Sequence, residues 1–250
     1  MKNIFYALFV VSALASCAES YTIQGSSSLA VLDGSKLYLK SLQGRDMKDL
    51  DSCDVVHGKF RFAGLLDSTL MASLFMDGKS VLPIVVERGD IKVRIDDTQQ
   101  KVSGSPLNDV LYAFLDEHKQ LGSQMDDLDH RYSQMLLDGI DEETIHRELT
   151  AAAASIAQRE DSLVTHFVVD NFDNVLGPFI FIQMSSSVPQ VEHIWSKAPD
   201  SFKRLSDVSE FYTHVTSTAN PVLHDSHATS TAAQDIDDAT IQDILNGNGQ

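Results

Sequence analysis

Val102-Ser103-Gly104-Ser105-Pro106-Leu107 marks a change of period in the chain. Before it, apolar residues alternate with polar ones; after it, they recur every three or four positions. Alternation is the mark of a half-buried strand, and a period near 3.6 is that of a helix. The hexapeptide therefore divides a β part from an α part. Ser105 is a good N-cap, since a side-chain oxygen can accept an orphan first-turn N–H. Pro106 suits the first helical position, where its missing N–H costs nothing. The expected fold class is α+β: an N-terminal antiparallel β-sandwich over residues 21–103, then a helical segment over residues 104–215. That segment opens with a long helical hairpin and continues in shorter helices.

Upstream, Tyr21 and Ile23 alternate before Gly25 to Ser28 loosens the chain. Asp33-Gly34 is a turn dipeptide, and Leu37 and Leu39 alternate after it. Cys53 and Val55 form a third strand, which His57-Gly58 turns into Lys59-Phe60-Arg61-Phe62. Leu70 to Met76 is more continuously apolar, Asp77-Gly78 turns it, and Val81 to Val86 follows. Pro83 suggests an edge or a bulge there, because proline has no N–H for a ladder. Ile91, Val93 and Ile95 make another strand after Gly89, and Val102 closes the sheet. Seven or eight short strands with frequent turns read as a sandwich.

Downstream, Leu107, Leu111, Phe114, His118, Leu121, Met125, Leu128, Tyr132 and Met135 are spaced four, three, four, three. That is a heptad stripe, which needs a facing helix. Asp138-Gly139 ends the first helix. Asp141 caps a second, with Glu142 and Glu143 in the first turn, where the helix dipole favours acids. Ile145, Leu149, Ala152, Ile156, Leu163 and Phe167 continue the stripe, so the short link predicts an antiparallel hairpin. Residues 170–177 read as a loop. Residues 178–184 suit a buried helix, although Phe179-Ile180-Phe181-Ile182 also fits a strand. Residues 189–195 and 200–215 read as two further helices.

From residue 216 onward no aromatic side chain occurs and Ser, Thr, Asp and Asn are frequent. Such a composition cannot bury enough apolar surface to fold alone, so residues 216–250 are expected to be a disordered acidic tail. Ile236, Thr240, Ile241, Ile244 and Leu245 form a weak helical stripe within it, readable as a transient helix or as a docking peptide.

At the other end, Lys2 precedes an apolar run over residues 4–14, and Leu14-Ala15-Ser16-Cys17 follows. Charge, apolar core and small-residue site in that order read as a signal peptide over residues 1–16. The run is shorter than the ~20 residues of a membrane span. Leu14, Ala15 and Ser16 look like the cleavage motif of a bacterial lipobox, with Cys17 as the lipidated residue and residues 17–20 as its tether. The expected address is the cell envelope, anchored by acyl chains at Cys17 to the outer membrane. The protein would face the periplasm, with the cell surface as the other choice.

The formal charge is −17. Nucleic acid demands a basic surface to neutralise phosphates, so no nucleic-acid partner is expected. Two cysteines are present. Lipidation of Cys17 leaves Cys53 without an intrachain partner, and a lone cysteine in a strand reads as a small buried hydrophobe.

No complete chemical motif stands in the chain. Gly78-Lys79-Ser80 ends a P-loop pattern, but Ser73 stands where its first glycine is needed. Asp170-Asn171-Phe172-Asp173-Asn174 resembles a calcium loop, but Val175 and Phe181 occupy the positions that need Gly and Glu. Asp126, Asp127 and Asp129 read as a solvated helix face. His224 and His227 are two ligands where a structural zinc site wants about four. His118 reads as a satisfied seam histidine. No G-x-S-x-G, H-E-x-x-H or C-x-x-C occurs. No catalytic residue, metal site or cofactor is therefore assigned.

The chain does resemble a known family. Asp33-Gly34-x-x-Leu37-Tyr38-Leu39, then Asp51-Ser52-x-x-Val55-x-x-Gly58-Lys59-Phe60-x-Phe62-x-Gly64, is similar to a Bacteroidetes domain of unknown function, DUF4369. So are Val86-Glu87-x-Gly89-x-Ile91-x-Val93 and Val102-Ser103-Gly104-Ser105-Pro106-Leu107-Asn108-Asp109. The resemblance implies a membrane-anchored envelope lipoprotein in which a thioredoxin-like domain commonly follows the helices. Here the residue 216–250 segment stands in that place and holds no cysteine, so reductase activity does not carry over. The expected function is a lipid-anchored, extracytoplasmic, non-catalytic binding module with an envelope protein or glycan as partner. The alternative is an accessory enzyme of the envelope, either a thiol-redox partner acting through Cys53 or a carboxylate hydrolase.

Overall fold

The alternation over residues 21–103 resolves into eight strands, and their inward side chains build one core. The structure, a computed structural model, describes residues 19–43 and 46–218. Strands β1 (Glu19–Ser27), β4 (Lys59–Leu66), β7 (Gly89–Ile95) and β8 (Gln100–Ser103) form one sheet in the order β4-β1-β7-β8. Strands β2 (Lys36–Gln43), β3 (Asp46–Asp54), β5 (Leu70–Met76) and β6 (Lys79–Val86) form the other, ordered β3-β2-β5-β6. Ile23, Phe62, Ile91 and Val93 from the first sheet share a buried cluster with Leu37, Leu39, Leu74, Leu82 and Ile84 from the second. The pairings are antiparallel except that β1 runs parallel to β7. Turn chemistry reports only neighbours in sequence, so this long-range pair left no local mark.

Two of the three turns expected at a glycine are left-handed at both positions: His57 and Gly58 lie at φ 52° and 67°, Asp77 and Gly78 at 50° and 79°; at Asp33-Gly34 only Gly34 is, at φ 79°. The Gly78-Lys79-Ser80 segment is thus a hairpin turn leading into β6. Gly25 does not loosen β1, contrary to the sequence reading. The strand runs through it because the Phe60 ring of β4 lies over the bare backbone, where a Cβ would come within 1.9 Å of that ring. Gly64 receives Tyr21 in the same way from the other strand, at 2.9 Å. Each aromatic ring supplies the burial that its glycine partner lacks.

After Gly104 (φ 89°) the chain becomes helical. Helices α1 (Pro106–Leu137) and α2 (Glu142–Asp170) make the expected hairpin, turned at Gly139. Asp141 caps α2 by accepting the Thr144 N–H at 3.0 Å. Then come α3 (Leu176–Met184), α4 (Val188–Lys197), α5 (Asp200–Lys203) and α6 (Ser206–Thr218). The apolar run over Phe179–Ile182 is helical. The last expected helix is broken at Arg204–Leu205 into α5 and α6, and α6 reaches three residues into the region assigned to the tail. Phe202 and Val208 are buried on the two sides of that break. No described helix is long and apolar enough to cross a membrane.

Candidate functional site

Beyond its first turns the heptad stripe of α1 faces α2, as Phe114 against Phe167, His118 against Glu160 and Tyr132 against His146 show, and its surroundings change part-way. Leu111 and Phe114 of α1, with Val164 and Val168 of α2, belong to the main core. Leu121, Met135, Ile145 and Ile156 are equally buried but stand outside that cluster, covered only by the opposing helix of the hairpin. The far half of the hairpin is therefore an arm of two helices. Residues 119–137 span about 28 Å at ~1.5 Å per residue. Leu136 and Leu137 are exposed at its tip, Leu137 to 88%.

Two open, shallow hollows lie along the arm. One hollow of about 410 Å³ is lined by Glu117, Leu121, Arg159, Leu163 and His166 among others. A second, of about 310 Å³, is lined by Gln124, Asp127, Leu128, Arg131 and Ile156 among others. Arg159 of α2 donates to Gln124 Oε1 of α1 at 2.9 Å, tying the helices together between the hollows. The floor is leucine and isoleucine, and the walls carry charge. Nearer the sandwich His118 is satisfied as expected: its Nε2 lies 2.8 Å from Glu160 Oε1 across the seam.

The arm is aimed by its root. β6 is an edge strand, so the polar groups of Pro83 and Val85 on its outer side need partners. Asn108 supplies them: its Oδ1 accepts the Val85 N–H at 2.9 Å and its Nδ2 donates to the Val85 carbonyl at 2.7 Å. One side-chain amide thus stands in for a paired strand residue. Tyr112, one turn on, donates its hydroxyl to the Pro83 carbonyl at 2.9 Å. Glu87, at the end of β6, accepts the Leu107 and Asn108 N–H groups through Oε1. That corrects the expectation for Ser105. It occupies the N-cap position but makes no side-chain cap, because its hydroxyl receives Asn108 Nδ2 at 2.9 Å. The first turn is capped by a carboxylate twenty residues away in sequence, where the helix dipole favours negative charge. Asp109 closes the root by accepting the Gly104 N–H.

Residues 21–111 match the family model of a domain of unknown function, DUF4369. No curated protein matches the chain. The DUF4369 match runs past the last strand and stops just after Asn108. It therefore takes in the eight strands, Glu87 and most of the root of α1, but not Tyr112 or the arm. The motifs that carried the resemblance now have physical content. Gly64 and Phe60 belong to the glycine–aromatic pairs, Gly58 sits in a left-handed turn, and Glu87, Ser105, Asn108 and Asp109 form the joint.

The other residues singled out in the sequence are not brought together. Leu14, Ala15, Ser16 and Cys17 lie outside the described residues, as do His224, His227 and the stripe over residues 236–245. Cys53 is half-buried rather than buried. It sits on the edge strand β3 opposite Leu37, so one side of it meets the core and the other does not. Burial pushes its thiol pKa up; a backbone hydrogen bond at Arg61 opposes this, and Asp51 and Asp54 add to it. A thiol held protonated is a poor nucleophile. Asn171 and Asn174 of the supposed calcium loop serve the backbone instead: Asn171 Nδ2 donates to the Phe167 carbonyl, and Asn174 Oδ1 accepts the Leu176 N–H. Among the described residues no group of three or more His, Cys, Asp or Glu is placed to hold a metal. Glu87, Asn108 and Tyr112 were missed as a unit. Their polar character at the start of an amphipathic helix was visible, but their partner is a strand edge that only folding brings near.

Proposed function

We propose that this chain is a lipid-anchored, extracytoplasmic interaction module with no catalytic role of its own. The observation that carries the reading is the arm: a two-helix extension, outside the main core, joined to the sandwich edge by the hydrogen bonds of Asn108 and Tyr112. Globular packing gives no reason for such an extension, whereas a contact surface held away from a membrane does. The raised thiol pKa of Cys53 weighs against a thiol-redox role. Leu14-Ala15-Ser16-Cys17 supports the anchor, and an acidic chain suits a partner that is a protein or glycan rather than nucleic acid.

The anchor is tested by metabolic labelling with a palmitate analogue. The wild-type chain takes the label, and Cys17→Ala abolishes it and releases the protein from membranes. Label on the Cys17→Ala chain, or its undiminished membrane association, overturns the anchor. The interaction is tested by pull-down from detergent-solubilised envelope, comparing the wild-type chain with Gln124→Arg/Leu128→Glu. A defined protein or glycan retained by the first and lost by the second is the expected result. Turnover of a small substrate together with equal recovery by both chains overturns it.

A further inference from the structure

Ile23, Phe60, Phe62, Ile91, Val93 and Val102 of the β4-β1-β7-β8 sheet are buried, so the residues that alternate with them form its outer face. The register sets two rungs across that face. One is Arg61, Gln24, Lys92 and Ser103; the next is Lys59, Ser26, Arg94 and Lys101. The chain holds 19 basic against 36 acidic side chains, yet these two rungs carry five cations and no acid. Asp90, beside Thr22, is the acid that shares the face. Asp96 and Asp116 neutralise Arg94 and Lys101 from its borders, at 2.8 and 2.7 Å. Lys59, Arg61 and Lys92 are exposed and make no ion pair among the described residues. Further along β4 the same outward row ends in Leu65, 74% exposed and opposite Ser20. We propose that this face, from its β4 edge, rests on the anionic phospholipid headgroups of the bilayer that holds Cys17, with Leu65 dipping into the interface.

Charge, position and clearance select that partner. Unpaired cations are drawn to the negative surface potential of an anionic bilayer. Ser20 follows Cys17 by three residues, at most about 10 Å of extended chain, so an anchor at Cys17 keeps the Leu65 end of the face beside the headgroups. The arm leaves from the other side. Asp116 ties α1 to β8 and Asn108 ties it to β6, and β8 lies at the opposite end of the sheet from β4. Contact on the β4 side therefore leaves the arm clear of the bilayer. The face orients the chain and does not hold it, because exposed charges are screened over about 8 Å at physiological ionic strength.

The choice of partner rests on the anchor at Cys17, and the test separates the two. At low salt the full chain carrying Cys17→Ala is expected to float with vesicles of phosphatidylcholine and phosphatidylglycerol. It should ignore phosphatidylcholine alone and come off as salt rises. Each Lys or Arg near such a surface strengthens binding roughly fivefold. Lys59→Gln/Arg61→Gln/Lys92→Gln should then weaken flotation by about a hundredfold, with an unchanged melting temperature. In the lipidated chain with Cys53→Ala, a fluorophore on Gln24→Cys should be shielded from an aqueous quencher by the anionic vesicles. One on Ser52→Cys, in β3 of the other sheet, should stay accessible. A chain that takes the palmitate label, but whose Cys17→Ala form ignores anionic vesicles at low salt, overturns the proposal and leaves the anchor standing. Flotation through these cations without any label on the wild-type chain supports the face and removes the anchor. Binding that the triple variant retains overturns the proposal, as does equal quenching at positions 24 and 52. Capture of heparin or of an acidic protein in place of vesicles assigns the face to a soluble anion and overturns it too.

Discussion

At the scale of single residues, the most demanding position is Gly25. A methyl group there would lie within 1.9 Å of the Phe60 ring, and the ring, 5% exposed, has little room to retreat. Gly25→Ala is therefore expected to destabilise the fold by about 1–3 kcal/mol, the cost of overpacking. In a Phe60→Ala background the same change should cost almost nothing, because the ring it struck is gone. Chemical denaturation of the four chains gives the coupling directly, and an additive cycle contradicts the pairing.

Tyr112 offers a second residue-level prediction. Desolvation by burial, with a smaller contribution from Asp116, pushes its hydroxyl pKa far above the ordinary 10.0. The folded state therefore keeps a proton that the unfolded state gives up. The stability tied to Tyr112 is complete below pH 10 and declines as pH rises beyond it toward the folded pKa. Stability followed from pH 9 to pH 11 should fall less steeply for Tyr112→Phe than for the wild-type chain. The variant starts lower at neutral pH, since the Pro83 carbonyl loses its hydrogen bond. Equal slopes would place that hydroxyl in contact with water.

At the scale of elements, α1 is one helix of 32 residues serving two purposes. Its first turns complete the edge of β6 and enter the main core through Leu111 and Phe114. Its outer half packs on α2 alone. Isolated helix pairs are marginal, and most helical stability comes from tertiary packing. Hydrogen exchange is therefore expected to separate the two halves. Seam amides over residues 119–135 and 145–156 should open at lower free energy than those of β1, β2 and β5. Leu121→Ala should speed exchange in the arm and leave the strands unchanged; equal protection throughout would make the arm part of one cooperative core. The hairpin was legible because a heptad stripe, the Gly139 turn and the Asp141 cap are all local signals. The joint was not, because Asn108 reads as an ordinary polar helix residue until the outer edge of β6 is beside it.

At the scale of the molecule, two sheets and a set of helices share one core, and the DUF4369 match follows the sheets and ends in the joint. Local patterning made most of the strands legible, together with the turns at His57-Gly58 and Asp77-Gly78, the change of period at Ser105-Pro106 and the two-helix hairpin. These are set by alternation, left-handed glycine geometry and helical spacing, each confined to neighbouring residues. The parallel pairing of β1 with β7, the cover that Phe60 gives Gly25, the capping of α1 by Glu87 and the half-burial of Cys53 came only with folding. Those rest on contacts between residues tens of positions apart, where the partner of a polar or apolar group depends on which surface folding brings against it.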